Sequence, residues 1–148
     1  MFDNILIASQ LRLTPYNYAD TIFRTPRFLA SEEKAKKKAR ELLAFVGLEK
    51  MALDNALSLP YGMQRKLEIA RALATDPILL LFDEPAAGMN PDESRLLMDL
   101  ISSIRKEYDI TILLIEHHME VVMGICDRIS VLNFGNQIAQ GTADEIQN

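Results

Sequence analysis

The sequence contains one cysteine, Cys126, so an internal disulfide bond is excluded. A chain that folds without disulfide bonds suits a reducing compartment. Its apolar runs are far shorter than the roughly 20 residues that cross a bilayer as a helix, so no membrane span is expected. The net charge of −5 argues against a nucleic-acid-binding surface, and we expect no nucleic-acid partner.

The first 57 residues have the pattern of helices. Loops are predicted around residues 13–20 and 24–31, and Ser31 is positioned to cap a helix that carries two glutamates in its first turn. Gly47 is typical of a helix end. Apolar residues at helical spacing predict the buried face of this helix, which consists of Ala35, Ala39, Leu42, Leu43 and Val46.

From residue 77 onward, strands alternate with helices. Continuous apolar runs at 78–82 and 110–115 are typical of strands buried on both faces, and residues 128–133 predict a third strand. A turn at Gly135–Asn136 predicts a returning hairpin strand. Because alternating strands and helices connect through right-handed crossovers, we expect an α/β fold with a parallel sheet.

Two adjacent carboxylates, Asp83 and Glu84, directly follow the apolar run at 78–82. In α/β sheets, ligands lie beyond the carboxyl ends of the strands. Mg²⁺ is a hard ion that takes few carboxylates and keeps several waters, so Asp83 suits a Mg²⁺ site. Glu84 could then act as a base toward a water molecule. The alternative is a strand end with two solvated acids, because an apolar run followed by Asp-Glu is a weak pattern by itself.

A glycine-containing turn at Gly62 is predicted to precede an amphipathic helix just upstream of this strand. The start of a helix presents free N–H groups to an anion. The alternative is an ordinary turn and helix without a ligand. The predicted apolar face of the helix consists of Leu67, Ala70, Leu73 and Ala74.

This block resembles the signature motif and following helix of the ATP-binding-cassette (ABC) ATPases, whose usual motif is Leu-Ser-Gly-Gly-Gln. The form "YG" followed by "QRKLEIARAL" is similar to the ATPase subunits of branched-chain amino acid importers. In this family the segment binds the ATP that a partner copy holds. Pro60 cannot supply the hydroxyl of the usual serine, but backbone N–H groups near Gly62 could still serve. The resemblance therefore implies a set of cofactor-binding residues: Leu59, Pro60, Tyr61, Gly62, Met63 and Gln64.

Further matches follow in the order that the family has. The segment "AAGMN" at 86–90 resembles the D-loop, which adds Gly88 and Asn90 as cofactor-binding candidates, with Asn90 where Asp is commoner. The segment "ILLIEHHM" resembles the switch-histidine loop; His117 has the switch position and would hydrogen-bond the γ-phosphate, and His118 replaces a more usual Asp. A metal site at the two histidines is disfavoured, because adjacent residues rarely converge on one ion.

The resemblance implies a partial P-loop-NTPase-like fold, with a parallel sheet, a helical subdomain and a C-terminal β-hairpin. Residues 1–76 would form the helical subdomain with the signature motif and its helix, and residues 77–148 the C-terminal part of the ATPase core. The family's P-loop, G-x-x-x-x-G-K-[S/T], is missing, since none of the six glycines precedes a lysine. We therefore expect the chain to be a piece of such a protein, to be marginally stable or prone to associate, and to bind ATP poorly by itself.

For the intact protein, the resemblance implies an ATP-hydrolysing subunit of an ABC importer for branched-chain amino acids. ATP and Mg²⁺ would be the cofactors, Asp83 would hold the metal, and Glu84 and His117 would be catalytic. Two ATPase subunits, identical or different, would pair and drive membrane permease subunits from the cytoplasmic face of the plasma membrane. Two alternatives stay open: a folded fragment that binds partners without turnover, and, with less support, an ABC-type ATPase of DNA repair or chromosome structure.

Overall fold

The computed structural model describes residues 1–13 and 18–147. The helices are α1 (Phe2–Leu13), α2 (Tyr18–Ile22), α3 (Pro26–Phe45), α4 (Tyr61–Leu73), α5 (Pro91–Tyr108), α6 (Met119–Ile125) and α7 (Ala143–Gln147). The strands are β1 (Leu79–Asp83), β2 (Thr111–Ile115), β3 (Ile129–Asn133) and β4 (Asn136–Gly141). Within this part of the chain, no helix is long and apolar enough to span a bilayer. The chain divides into two compact units, Met1–Leu80 and Leu81–Asn148, while the domain limits expected at 76 and 77 stay a prediction.

The first unit is built on packing among α1, α3 and α4. Both apolar faces predicted in this unit are confirmed, because every residue of both sets is at most 4% exposed. Ile5 of α1 and Leu48, just beyond α3, complete this core with exposures of 0% and 1%. Periodic apolar residues in α3 and α4 therefore drive the packing of this unit.

The start of α3 differs from the prediction. The helix begins at Pro26 with Thr25 as its N-cap, and the Thr25 hydroxyl oxygen accepts a hydrogen bond from the N–H of Phe28 at 3.4 Å. Ser31 therefore lies inside the helix, and the loop predicted at 24–31 is wrong from Pro26 onward. A proline at the first helical position has the required φ already and lacks the N–H that would be unpaired there, so the Thr-Pro pair starts the helix earlier. The loop predicted at 13–20 falls partly on residues 14–17, which lie outside the described residues. At its two ends the prediction is wrong, because Leu13 is the last residue of α1 and residues 18–20 belong to α2.

Helix α3 ends just before Gly47, as the sequence predicts. Gly47 has a φ of +75°, a backbone conformation that glycine adopts without steric cost. Its N–H donates to the carbonyl of Ala44 at 3.0 Å, and the N–H of Leu48 donates to the carbonyl of Leu43 at 2.7 Å. These two hydrogen bonds form a Schellman motif, which satisfies carbonyl groups at the end of the helix and turns the chain.

The strands β1 and β2 form a two-stranded sheet. The N–H of Glu84, directly after β1, donates to the carbonyl of Ile115, the last residue of β2, at 2.9 Å. The carboxyl ends of the strands therefore lie side by side, and the two strands run parallel, as expected. The prediction that these strands are buried on both faces is wrong, because Leu81, Leu113 and Ile115 are 67%, 56% and 56% exposed. In a strand alternate residues share one face, so these apolar side chains leave sheet surface exposed.

The strands β3 and β4 form the predicted hairpin, with an antiparallel register from Ile129 opposite Gly141 to Asn133 opposite Asn136. The turn lies one residue earlier than predicted, at Phe134 and Gly135. Their φ values are +46° and +79°, the two consecutive left-handed residues of a type I′ turn. Because Asn136 pairs with Asn133, it belongs to the strand and not to the turn.

Candidate functional site

Three residues predicted to carry the chemistry lie at or just beyond the carboxyl ends of β1 and β2. Asp83 ends β1 and is exposed, Glu84 follows it, and His117 lies two residues beyond the end of β2. The Glu84 carboxylate oxygen Oε1 lies 3.6 Å from His117 Nδ1, and the two side chains are 52% and 62% exposed. The structure therefore brings Glu84 and His117 together on the solvent side of the strand ends. A separation of 3.6 Å is too long for a hydrogen bond and leaves the two groups as close electrostatic neighbours.

The backbone of Glu84 adopts an unusual conformation. Its φ is +43°, in the left-handed region that residues other than glycine rarely occupy. The residue is held there by the hydrogen bond from its N–H to Ile115 and by its carbonyl, which accepts from the N–H of Ala87 at 3.1 Å. Such backbone conformations persist where the surrounding structure fixes them, and they are found at functional sites. The result is a sharp turn that directs the chain away from the strand just after the two carboxylates.

The D-loop candidates Gly88 and Asn90 form the passage from this turn into α5. Gly88 has a φ of +77°, which a glycine adopts easily. Asn90 is the N-cap of α5: its side-chain oxygen accepts from the N–H of Glu93 at 2.9 Å, and its own N–H donates to the Glu93 carboxylate at 3.2 Å. This capping box gives Asn90 a structural role. A nucleotide contact by Gly88 or Asn90 stays a prediction.

One residue of this site, Glu116, was not among the predicted set. Its side chain has no exposed surface, its Oε1 accepts a hydrogen bond from the N–H of Ala86 at 3.2 Å, and its Oε2 lies 3.4 Å from His118 Nδ1. A buried carboxylate is costly unless it is paired, and these contacts supply the partners. Glu116 thus joins the turn after β1 to the histidine loop after β2. The signal in the sequence is the alternation along β2, which puts Glu116 on the same side as the half-buried Ile112 and Leu114.

The signature-like segment belongs to the first unit, where Leu59 is buried and Pro60 precedes α4 as its N-cap. The prediction that Gly62 precedes the helix is wrong, because α4 begins at Tyr61 and Gly62 lies in its first turn. The Gln64 side-chain amide donates to the carbonyl of Leu59 at 2.8 Å and fixes the entry of the chain into the helix. The first N–H groups of a helix lack acceptors within the helix, so the start of α4 can donate to an external group.

Charge decides what the strand ends can bind. Asp83 and Glu84 are exposed acids, and the buried Glu116 carboxylate contacts the turn that follows them, through the N–H of Ala86. Two exposed carboxylates repel the phosphates of a nucleotide unless a cation lies between them. The side chains offer a hard oxygen ligand at Asp83, a carboxylate that can accept a proton at Glu84, and an imidazole at His117. This set suits a cation-assisted reaction of a phosphate ester or anhydride.

A family model described as ABC transporter matches residues 5–87, more than half of the chain. The chain belongs to the ABC transporter family. The matched region of this ABC chain includes the signature-like segment, Asp83 and Glu84, whereas His117 lies beyond it.

The ABC chain is 43% identical over 148 residues to the high-affinity branched-chain amino acid transport ATP-binding protein LivG of Salmonella typhimurium, and the match covers 100% of the chain and 58% of LivG. It is 44% identical over 145 residues to BraF of Pseudomonas aeruginosa, a protein of the same description, with 98% of the chain and 56% of BraF covered. The chain therefore spans less than two thirds of the length of these relatives.

A solved structure agrees with the fold. The ADP conformation of MJ1267, an ATP-binding cassette of an ABC transporter, has a TM-score of 0.79 and 29% identity, with 99% of this chain and 57% of that chain covered. The predicted α/β, P-loop-NTPase-like fold class is thereby confirmed.

Proposed function

We propose that this chain carries the hydrolytic end of the ATP-binding subunit of an ABC importer that transports branched-chain amino acids. The observation that carries this proposal is the proximity of Glu84 and His117, 3.6 Å apart beside Asp83 at adjacent strand ends. A carboxylate base and an imidazole at the carboxyl ends of parallel strands are arranged for attack of water on a phosphate.

Each of the three residues has a distinct role in this proposal. Asp83 is an exposed carboxylate, which fits Mg²⁺ because this ion takes one or two carboxylates and keeps several waters. When bound with ATP, Mg²⁺ neutralises charge on the phosphates. Glu84 orients a water and accepts its proton, and His117 donates a hydrogen bond toward the terminal phosphate. The hydrogen bonds that hold Glu84 at its positive φ keep the base in place.

A second copy of the ATPase subunit, identical or related, belongs to the proposal. The N–H groups of Met63 and Gln64 donate to the Pro60 carbonyl, at 2.9 and 3.0 Å. The N–H groups of Tyr61 and Gly62, the first two residues of α4, precede the first acceptors of the helix, which suits contact with ATP held by a partner subunit. Pro60 brings no hydroxyl to that contact, so the backbone would supply the donors. Gly88 and Asn90 would lie at the subunit interface, where Asn90 has an amide in place of the carboxylate that is usual in the family.

The transported substrate, the membrane partner and the location of the intact protein are proposed by analogy with the relatives. The identities of 43% and 44% are to proteins whose descriptions name branched-chain amino acid transport. We therefore propose permease subunits in the plasma membrane as partners and a peripheral position at its cytoplasmic face. Residues 1–76, the predicted helical subdomain, would contact the permease.

ATP binding by these 148 residues alone is expected to be weak. The P-loop supplies the amides and the lysine that bind the β- and γ-phosphates in P-loop NTPases, and the sequence contains no such motif. Asp83 and Glu84 cannot replace them, since both are negative. In this proposal the site works with a phosphate-binding P-loop, as in the relatives' family.

The proposal is tested with a chain joined to the P-loop portion of a related ATPase. Replacement of Glu84 by Gln keeps the shape but removes the base, so we expect steady-state ATP hydrolysis to fall at least about a hundredfold while ATP binding is retained. Glu107→Gln is the matched control, because Glu107 is an exposed glutamate of α5 outside the site. Unchanged hydrolysis in the Glu84→Gln variant would remove Glu84 as the water-activating residue.

A further inference from the structure

We propose that Glu116, His117 and His118 form a binding site for a first-row transition metal ion such as Zn²⁺, which shares His117 with the proposed hydrolytic site and does not include Asp83. One ligand atom of each of the three residues lies within 4.8 Å of the others. The rings of the two histidines have centroids 4.3 Å apart and are tilted by 35°. Adjacent residues rarely bring both side chains to one side of a loop, but this loop does so next to a carboxylate.

The distances are close to those around a bound metal ion. Zn²⁺ binds imidazole nitrogen and carboxylate oxygen at about 2.0–2.2 Å, so two ligand atoms in a tetrahedral site are about 3.4 Å apart. Glu116 Oε2 and His118 Nδ1 are separated by 3.4 Å. All three ligand atoms lie within 4.8 Å of one another, so the third must move by at most about 1.4 Å to reach the same spacing. The His117 and His118 side chains are 62% and 55% exposed, so their rings can rotate toward the ion without disturbing a core.

Glu116 gives the site a fixed point. Its side chain is fully buried, and the N–H of Ala86 holds Oε1 at 3.2 Å, which leaves Oε2 directed at His118. Ligands of metal sites are usually held by a hydrogen bond of this kind, which orients the donor atom before the ion arrives. A carboxylate that is already buried and oriented loses little conformational entropy on binding.

The ligand types select the metal. Imidazole nitrogen suits Zn²⁺, Cu²⁺ and Ni²⁺, whereas Mg²⁺ prefers oxygen ligands and its own waters. Two imidazoles and one carboxylate are a common ligand set for Zn²⁺ with an open fourth position. The sequence has two histidines in all, so every imidazole that the chain can offer belongs to this site.

The test is a calorimetric titration of the tag-free 148-residue chain with Zn²⁺. Cys126→Ser serves as the parent, because Cys126 is the one thiol in the sequence and a thiolate is a strong ligand of Zn²⁺. We expect one Zn²⁺ per chain. His117→Ala and His118→Ala should each weaken the affinity at least about tenfold, since even outer-shell changes at metal sites cost 10–100-fold. Glu120→Gln is the matched control, an exposed glutamate in the first turn of α6 whose replacement should leave the affinity unchanged.

Glu116→Gln adds a separate readout. The amide oxygen still accepts from the N–H of Ala86, but the charge and the second carboxylate oxygen are lost, so Zn²⁺ should bind at least about tenfold more weakly. Circular dichroism establishes that each variant is folded; if Glu116→Gln unfolds, the exposed histidines decide the question. Absence of saturable Zn²⁺ binding to the parent, or unchanged affinity in either histidine variant, would overturn the proposal.

Discussion

At the residue scale, Asn90 combines a helix cap with a position predicted to face a nucleotide. Its side-chain oxygen accepts from the N–H of Glu93 at 2.9 Å, and the Glu93 carboxylate accepts from the N–H of Asn90 at 3.2 Å. Asparagine and aspartate are equally good N-caps, and a carboxylate also interacts favourably with the positive end of the helix dipole. The capping role therefore tolerates either residue, whereas a contact across a subunit interface would distinguish them by charge.

Replacement of Asn90 by Ala should lower the free energy of unfolding by about 1 kcal/mol, because the first turn of α5 loses its side-chain acceptor. Asn90→Asp is the matched variant and should be neutral or slightly stabilising. Urea denaturation gives the free energies, and hydrogen exchange at the start of α5 locates the effect. Equal stability of the Ala and Asp variants would contradict the capping role.

Two charged residues directly after the apolar run at 78–82 predict that Asp83 and Glu84 lie at a strand end, and the resemblance to the switch-histidine loop places His117 beyond the next strand. The structure has all three at these places, while their roles in hydrolysis stay a prediction. The sequence does not predict Glu116 as a member of the site. Glu116 belongs to the site because it accepts a hydrogen bond from the N–H of Ala86, 30 positions away in the chain, and this contact depends on how the two loops approach one another. A contact between distant segments is set by packing, which local patterns do not contain.

At the element scale, boundaries are where prediction and structure differ. The apolar faces of α3 and α4 follow from spacing alone. The start of α3 is set by competition between two capping sequences, and Thr25-Pro26 prevails over Ser31. The hairpin turn is displaced by one residue, because a type I′ turn needs two left-handed residues and the phenylalanine accepts that conformation next to Gly135.

Besides the apolar packing of α3 on α4, one lysine of α3 contacts the carboxyl end of α4. Lys38 Nζ lies 2.6 Å from the Asp76 carboxylate and donates to the carbonyl of Ala74 at 3.0 Å, with a side chain that is 19% exposed. A cation at the carboxyl end of a helix is favourable, and Ala74 is the C-cap of α4.

Lys38→Met keeps the aliphatic stem but removes both contacts, so we expect a loss of about 1 kcal/mol in the free energy of unfolding. The control is Lys37→Met, since the Lys37 side chain is 76% exposed and its Nζ lies 3.8 Å from Oε1 of Glu41. An exposed pair of this kind should contribute less than about 0.5 kcal/mol. Thermal and urea denaturation measure both variants, and a larger loss in the control than in Lys38→Met would contradict the assignment.

At the scale of the whole molecule, the chain matches just over half of an ABC ATP-binding cassette and leaves apolar sheet surface exposed. Leu81 on β1 and Leu113 and Ile115 on β2 are more than half exposed. Continuous apolar strands are typical of parallel sheets covered on both faces, which is why the sequence predicts burial here. Exposure of this kind is a physical reason to expect association of the isolated chain, which stays a prediction.

The ABC chain is proposed to supply the base and the imidazole for hydrolysis and to depend on a P-loop for nucleotide affinity. Calorimetric titration of the 148-residue chain with Mg-ATP tests this division most directly, with light scattering to establish the oligomeric state of the sample. We expect no saturable binding tighter than about 1 mM, which corresponds to a binding free energy of about −4 kcal/mol. Micromolar binding by a monodisperse monomer would contradict it, because the phosphates would then have a site among Asp83, Glu84, His117 and their neighbours that needs no P-loop.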